Sequence, residues 1–205
     1  MIASPNQPCP ARLGLLLAFT MGLSACAGMR GPGNDVTALA SPEAAAMTST
    51  ERLANDLSAA GTAFERSDLA TLETHLRAIE LAGASPSDRH SEETMLEWRS
   101  VVSKDALPMR GRALGPAYIS GTLAPGATLD TEQVLLGGKS VGIAAGTTPQ
   151  GGLRLRVSRG DGKAVCERSP AHARECRFVP AYTQRYRIEL FNSGTGNARY
   201  HIVLE

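Results

Sequence analysis

Aromatic side chains are scarce in this chain: Phe, Trp and Tyr make up 4% of 205 residues, with a single Trp. Any core must therefore be built from aliphatic side chains. Net charge is nearly absent too, since Lys+Arg 21 against Asp+Glu 20 gives +1 at pH 7. That balance excludes a whole-protein case for nucleic-acid binding, which needs a basic footprint. Apolar runs of any length are confined to Leu13 to Leu23, broken only by Gly14, Thr20 and Gly22. Nothing else approaches the roughly 20 residues that span a bilayer, so a polytopic membrane protein is excluded. Hydrophobic residues at 42% and charged residues at 20% also exclude a wholly disordered chain. The length fits one medium domain or two small ones.

Catalytic signatures are missing as well. There is no Gly-x-Ser-x-Gly elbow and no His-Glu-x-x-His pair. The four histidines, His75, His90, His172 and His201, share no ligand spacing. Gly160-Asp161-Gly162-Lys163 lacks the preceding glycine spacing of a phosphate loop and reads as a turn. Glu92-Glu93 lies near a helix start, where acids favour the helix dipole. No metal and no cofactor is expected from these residues, and no enzymatic activity.

The N-terminus reads as a targeting segment. Arg12 is the only charged side chain before residue 30, and the apolar run follows it. At about 1.5 Å per residue the run is too short to cross a membrane, and it fits the hydrophobic region of a secretory signal peptide. Leu23-Ser24-Ala25-Cys26 closes it. These four residues resemble the lipobox of bacterial lipoproteins. The resemblance implies cleavage after a signal peptide of residues 1–25. It also implies a diacylglyceryl group on the Cys26 thiol and a further acyl chain, such as palmitate, on the freed amine. Several acyl chains, at about 0.8 kcal/mol per buried CH₂, anchor a protein in effect permanently. In Gram-negative lipoproteins an Asp after the cysteine favours inner-membrane retention. Ala27 stands there, so the expected location is the cell envelope, on the periplasmic face of the outer membrane. The rival is a soluble secreted protein, because Ala25-Cys26-Ala27 also satisfies the small-x-small rule of ordinary signal peptidase.

Processing would remove Cys9 and commit Cys26, leaving Cys166 and Cys176. An even pair in an oxidising compartment reads as a disulfide, here one that staples a hairpin or two neighbouring strands. The rival is a metal site, but two cysteines with only His172 nearby make a poor zinc cage.

The mature chain divides into three. Residues 26–40 hold Gly28, Gly31, Pro32, Gly33 and Asn34 and read as a flexible tether. Residues 41–108 read as helical. Ser41-Pro42-Glu43 suits a helix start. Leu53, Leu57, Ala60 and Phe64 recur at spacings of three and four, as do Leu69, Leu72, Leu76 and Ile79. Ser67-Asp68 can cap a second helix, and Gly83 and Pro86 end it. A further helix is expected from Asp88 to Lys104, with Met95, Trp98, Val101 and Val102 inward and Pro108 as its stop. A short antiparallel bundle follows from these stripes.

Residues 114–205 change to alternation. Strands are expected at 117–123, 128–136, 140–145, 153–158, 164–167, 177–179, 185–192 and 198–204. Leu153, Leu155 and Val157 alternate with Arg154, Arg156 and Ser158, which gives one buried and one wet face. Turn signals stand at Gly160-Asp161-Gly162 and Asn192-Ser193-Gly194. Many short strands with regular turns argue an antiparallel β-sandwich, jelly-roll-like. The fold class is thus α+β, a short helical bundle followed by the sandwich.

Several runs here resemble the bacterial pre-peptidase C-terminal domain, a β-sandwich appended to secreted proteins. They are Thr122-Leu123-Ala124-Pro125-Gly126, Leu153-Arg154-Leu155-Arg156-Val157, Phe178-Val179-Pro180, Tyr186 through Asn192, and Ala198-Arg199-Tyr200. The resemblance implies a fold rather than an activity. Some members bind calcium through acids alternating with the Leu-x-Leu-x-Val strand. Here those positions are Gly152, Arg154 and Arg156, and Gln184 replaces a family glycine, so no calcium site is carried over.

Charge is distributed unevenly. Residues 51–104 hold six basic and ten acidic side chains, and residues 110–205 hold thirteen basic and seven acidic. Arg154, Arg156, Arg185, Arg187 and Arg199 all occupy the polar phase of their strands. If those strands are neighbours they form an arginine face suited to phosphate or carboxylate. Anionic glycan, lipopolysaccharide or an acidic envelope protein would be its partner. The bland reading is a solvated sheet surface, and a third is that the basic sandwich docks on its own acidic helices. The functional expectation is a membrane-anchored, noncatalytic binding or scaffolding module. The alternative is an enzyme or enzyme-accessory subunit with an unfamiliar periplasmic site.

Overall fold

The computed structural model describes residues 47–102 and 115–205. Cys26, the tether, the Ser41-Pro42-Glu43 start and the Pro108 stop lie outside the described residues. Helix α1 spans Ser49–Glu65. A reciprocal capping box begins it: the Glu51 amide donates to Thr48 Oγ1 (3.2 Å) and the Thr48 amide to Glu51 Oε2 (2.8 Å). Asp68 caps α2, Leu69–Leu81, by accepting from the Thr71 amide, and Asp88 caps α3, Arg89–Ser100, by accepting from the Ser91 amide. Each cap satisfies a backbone donor that the first turn would otherwise leave orphaned. The third helix is shorter than its sequence pattern predicts. Val101 is its C-cap and is exposed, whereas Val102 packs on the core.

The two-residue strand β1, Ser85–Pro86, runs parallel to β2, Ala117–Leu123. The others are β3 Thr128–Leu135, β4 Val141–Thr148, β5 Leu153–Arg159, β6 Ala164–Arg168, β7 Cys176–Phe178, β8 Gln184–Asn192 and β9 Ala198–Leu204. They form two sheets in the orders β1-β2-β9-β4-β7 and β3-β8-β5-β6. All pairings but that of β1 are antiparallel. Ile143, Ala145, Tyr200 and Ile202 of the first sheet meet Leu153, Leu155, Val157, Ile188 and Leu190 of the second in one core. Burying an aliphatic side chain of this size contributes about 1.5–3 kcal/mol.

The helices pack on the sandwich as well as on one another. Their apolar stripes share a second core with Tyr118, Ala144 and Val203, which project from the other side of the first sheet. Strand β4 makes this possible. Ile143 and Ala145 face the sandwich core, while Gly142, Ala144 and Gly146 present almost no side chain to α1. A Cβ at Gly146 would collide with the Ala54 carbonyl, so only glycine lets the helix backbone come this close. The described residues therefore form three layers: helices, sheet and sheet.

Candidate functional site

The second sheet leaves its far side open to solvent. Arg154 and Arg156 project from β5, and Arg185 and Arg187 from the adjacent β8, all four exposed. Side chains two apart share a face of a strand, and neighbouring strands bring the two pairs together. Acidic residues interleave with them. Arg154 Nε lies 3.7 Å from Glu167 Oε1, Arg185 Nη1 3.3 Å from Glu132 Oε2, and Arg187 Nε 3.3 Å from Asp130 Oδ1. Arg154 also stacks over the Phe191 ring, 5.2 Å from its centroid. Arg156 alone of the four makes no ion pair among the described residues, although Glu189 is its cross-strand neighbour.

The face carries a groove of about 310 Å³ beside Arg156, Arg185 and Arg187, with Glu132 and Glu189 in its walls. Ser158 lines it too, but it is buried, not wet as the alternation predicts, at the point where the β5–β6 register shifts. At the groove's end Arg159 is engaged by a two-point contact with Asp161 (Nη2–Oδ2, 2.7 Å), which also ties the Gly160–Gly162 turn. The arginines thus form a lattice of alternating charge with one uncommitted guanidinium in a hollow.

Arg199 does not belong to this face. It lies on β9 in the first sheet, and its polar phase points at the helices. Its guanidinium donates to the Gly61 carbonyl (3.1 Å) and pairs with Glu65 (2.7 Å). Docking of the sandwich on its acidic helices, one of three readings of the charge asymmetry, is therefore partly what the basic residues do. At the other end of α1, Glu205 accepts from Ser49 Oγ and Thr50 Oγ1, which hold its carboxyl below the usual range. Glu51 accepts from the Glu175 amide, and Arg177 clasps the Glu175 carboxylate.

Cys166 and Cys176 are joined, with Cα atoms 5.8 Å apart. The bond is not within a hairpin. Cys166 lies on β6 at the edge of the second sheet and Cys176 on β7 at the edge of the first, so it ties one sheet to the other.

Sequence reading assigned no partner to the buried His201. His201 on β9 accepts or donates through Nδ1 at 2.8 Å from Ser120 Oγ on β2, and its ring packs 5.9 Å from Trp98 of α3. The Ser120 amide donates to Ser91 Oγ of α3 (2.7 Å). Burial, with a smaller contribution from the Arg199 charge, pushes the His201 pKa down to about 3, so the ring is neutral. A serine–histidine contact can serve catalysis, but this one is sealed between helix and sheet and joins β2, β9 and α3. His172 lies in the wall of another hollow, of about 280 Å³, near the α1–α2 junction. It accepts from the Thr147 amide (3.1 Å), and burial lowers its pKa. No cluster of three metal-ligating side chains occurs among the described residues, and none of their helices is long and apolar enough to cross a membrane.

No protein-family model matches this chain, and no curated protein matches it by sequence. Its geometry defines an antiparallel two-sheet sandwich backed by helices on one side. Among solved structures it is similar to Aeromonas hydrophila PliG, a periplasmic lysozyme inhibitor of g-type lysozyme. Identity is 9%, covering 48% of this chain and 91% of that one, at a TM-score of 0.38. The pre-peptidase C-terminal domain of a Bacillus anthracis collagenase is similar at 16% identity, 43% and 87% coverage and a TM-score of 0.38. The Yersinia pseudotuberculosis-derived mitogen is similar at 12% identity, 44% and 84% coverage and 0.37. Scores below 0.5 at these identities assign no family.

Proposed function

We propose that the protein is a noncatalytic, lipid-anchored module of the bacterial envelope that binds anionic groups on the open face of its second sheet. The strand order supports a jelly roll: β2 pairs β9, β3 pairs β8, β4 pairs β7 and β5 pairs β6, the nested pairing of that architecture. Arg156 carries the functional reading. Its guanidinium lies in the groove without an ion pair among the described residues, between arginines already spaced by acids. A planar, permanently charged fork of this kind suits a phosphate or carboxylate oxygen pair. The surrounding acids keep the field weak, so affinity is modest and selective for an anion that fits the groove. Phosphates of lipopolysaccharide and carboxylates of peptidoglycan are the envelope polymers with this chemistry.

The test is binding of purified protein to lipopolysaccharide and, separately, to peptidoglycan sacculi at rising salt. Binding to one of them should fall with salt, and Arg156→Glu with Arg187→Glu should weaken it tenfold or more with the circular dichroism spectrum unchanged. Salt-insensitive binding, or binding that survives both reversals, overturns the reading. The anchor is tested by mass spectrometry of the mature protein. A chain beginning at Cys26 with diacylglyceryl and acyl additions is expected. An unmodified chain beginning at Gly28 overturns lipidation and, with it, the outer-membrane location that Ala27 favours.

A further inference from the structure

The sandwich has two unlike ends. At one, the connections over residues 124–127, 149–152 and 193–197 contain neither a charged side chain nor a large apolar one, and the fourth, 169–175, carries Arg174 and Glu175 but no large apolar one. At the other, Val134, Leu136, Val179 and Tyr182 are 59%, 58%, 60% and 77% exposed. They sit at the foot of β3 and on the two connections, 136–140 and 179–183, that are bonded to each other; the third connection of this end, 160–163, carries the exposed Asp161 and Lys163. The Gly137 amide donates to Thr183 Oγ1 (3.0 Å) and the Gly138 amide to the Pro180 carbonyl (2.8 Å). Pro180 is buried beneath them. The backbone is thus fixed while the apolar tips point outward, and Lys139 is exposed among them.

The same end receives the chain that leads back to Cys26. Ser49 and Thr50 at the start of α1 bond to Glu205, whose backbone exchanges two hydrogen bonds with Gly142, just past residues 136–140. Met47, where the described chain begins, is itself 39% exposed. Twenty residues, 27–46, separate it from Cys26. The chain toward Cys26 therefore leaves the described domain at the end that carries the apolar tips.

We infer that this end is a membrane-docking surface: Leu136, Val179 and Tyr182 enter the headgroup–acyl boundary of the leaflet that holds the Cys26 lipid, with Lys139 against anionic headgroups. The inference rests on the reading of Cys26 as lipidated. Exposed aliphatic tips gain from leaving water, tyrosine favours the boundary because one end of its ring is polar, and a lysine beside them meets lipid phosphate. Docking stands the strands upright on the membrane and leaves the open face of the second sheet lateral to it.

The experiment uses the full lipidated chain carrying Tyr182→Trp, reconstituted into phosphatidylethanolamine–phosphatidylglycerol vesicles containing lipids brominated on the acyl chains. Trp98 is buried and supplies a constant background. The added emission should shift to the blue and fall at least twofold with brominated lipid. Adding Leu136→Ser and Val179→Ser should remove that quenching without altering circular dichroism. Emission that stays red and is quenched by aqueous iodide overturns the inference. So does a dimer that dissociates in the same double variant, since that assigns the tips to a second copy of the chain. If mass spectrometry finds no lipid on Cys26, the same reading is taken on the unlipidated chain added to vesicles. A blue-shifted, bromine-quenched signal there upholds the surface although the anchor has failed, and its absence overturns it.

Discussion

At the scale of single residues, the neutral imidazole of His201 ties folding to pH. Its pKa is about 3 in the folded protein against an ordinary 6.5. The unfolded chain therefore binds a proton below about pH 6.5 that the folded chain refuses until near pH 3. Stability from this group is complete above the upper value and is lost as pH falls through the window between them. One proton across the window is worth about 1.4 kcal/mol per pH unit. His201→Asn keeps an acceptor near Nδ1 for the Ser120 hydroxyl and removes the titration. Urea denaturation at pH 7.5 and 5.5 should show the wild-type protein losing about 1 kcal/mol or more between them and the variant losing clearly less. Equal losses would place the acid sensitivity elsewhere, with His172 the next group to examine because burial lowers its pKa from the same ordinary 6.5 and acts in the same direction. The sequence shows His201 only as a member of the β9 alternation. That its phase faces buried helices depends on a layer that no local pattern announces. The cysteine pair was legible because the expected processing would leave two thiols, but which sheets they join was not. Closing a loop of ten residues, replacement of both by Ala should destabilise the fold by roughly 2–3 kcal/mol, measured as a loss in denaturation free energy under oxidising conditions.

At the scale of elements, the strands were readable and the helix packing was not. The boundaries of β2 and β9 follow directly from alternation between turn residues, and those of the other strands shift by a few residues at most. Alternation is local, and glycine and proline punctuate it. The docking of α1 is non-local, yet one trace of it lies in β4, where Gly142, Ala144 and Gly146 occupy one phase and Ile143 and Ala145 the other. A strand that is small on one side and apolar on the other is crossed closely by another backbone. Gly146→Ala should therefore overpack the contact with Ala54 and Ser58. The expected destabilisation is about 1–3 kcal/mol, with faster hydrogen exchange confined to α1 and β4. Faster exchange in β3 and β8 instead would contradict the close approach. The five arginines repeat the lesson. Parity placed Arg154, Arg156, Arg185 and Arg187 on one side, and adjacency of β5 and β8 merged them, whereas Arg199 obeys the same parity in the other sheet.

At the scale of the whole molecule, the acidic helices and the basic sandwich are one folding unit. Tyr118, Ala144 and Val203 are buried only because helices cover the first sheet, and Trp98 is buried only because that sheet is present. Ser120 and His201 find their partners in the same seam, and Arg199, Glu205 and Glu51 bind across it from end to end. Separating the layers would leave apolar surface wet and several polar groups unpaired at once. Two-state behaviour follows when the helices can bury their apolar stripes only against the first sheet, whose outer side needs them in turn. Heating or urea should thus give coincident transitions for Trp98 emission, which reports the helix layer, and for near-ultraviolet tyrosine signals. Tyr118 lies in the seam, but Tyr186 and Tyr200 belong to the sandwich core and make the second probe independent. A sandwich of residues 115–205 expressed alone should aggregate or unfold at markedly lower denaturant, since the seam face of the first sheet would then meet water. Two resolved transitions in the full chain, or a monomeric and equally stable isolated sandwich, would show instead that the helices are an accessory layer and that the seam contributes little to the fold.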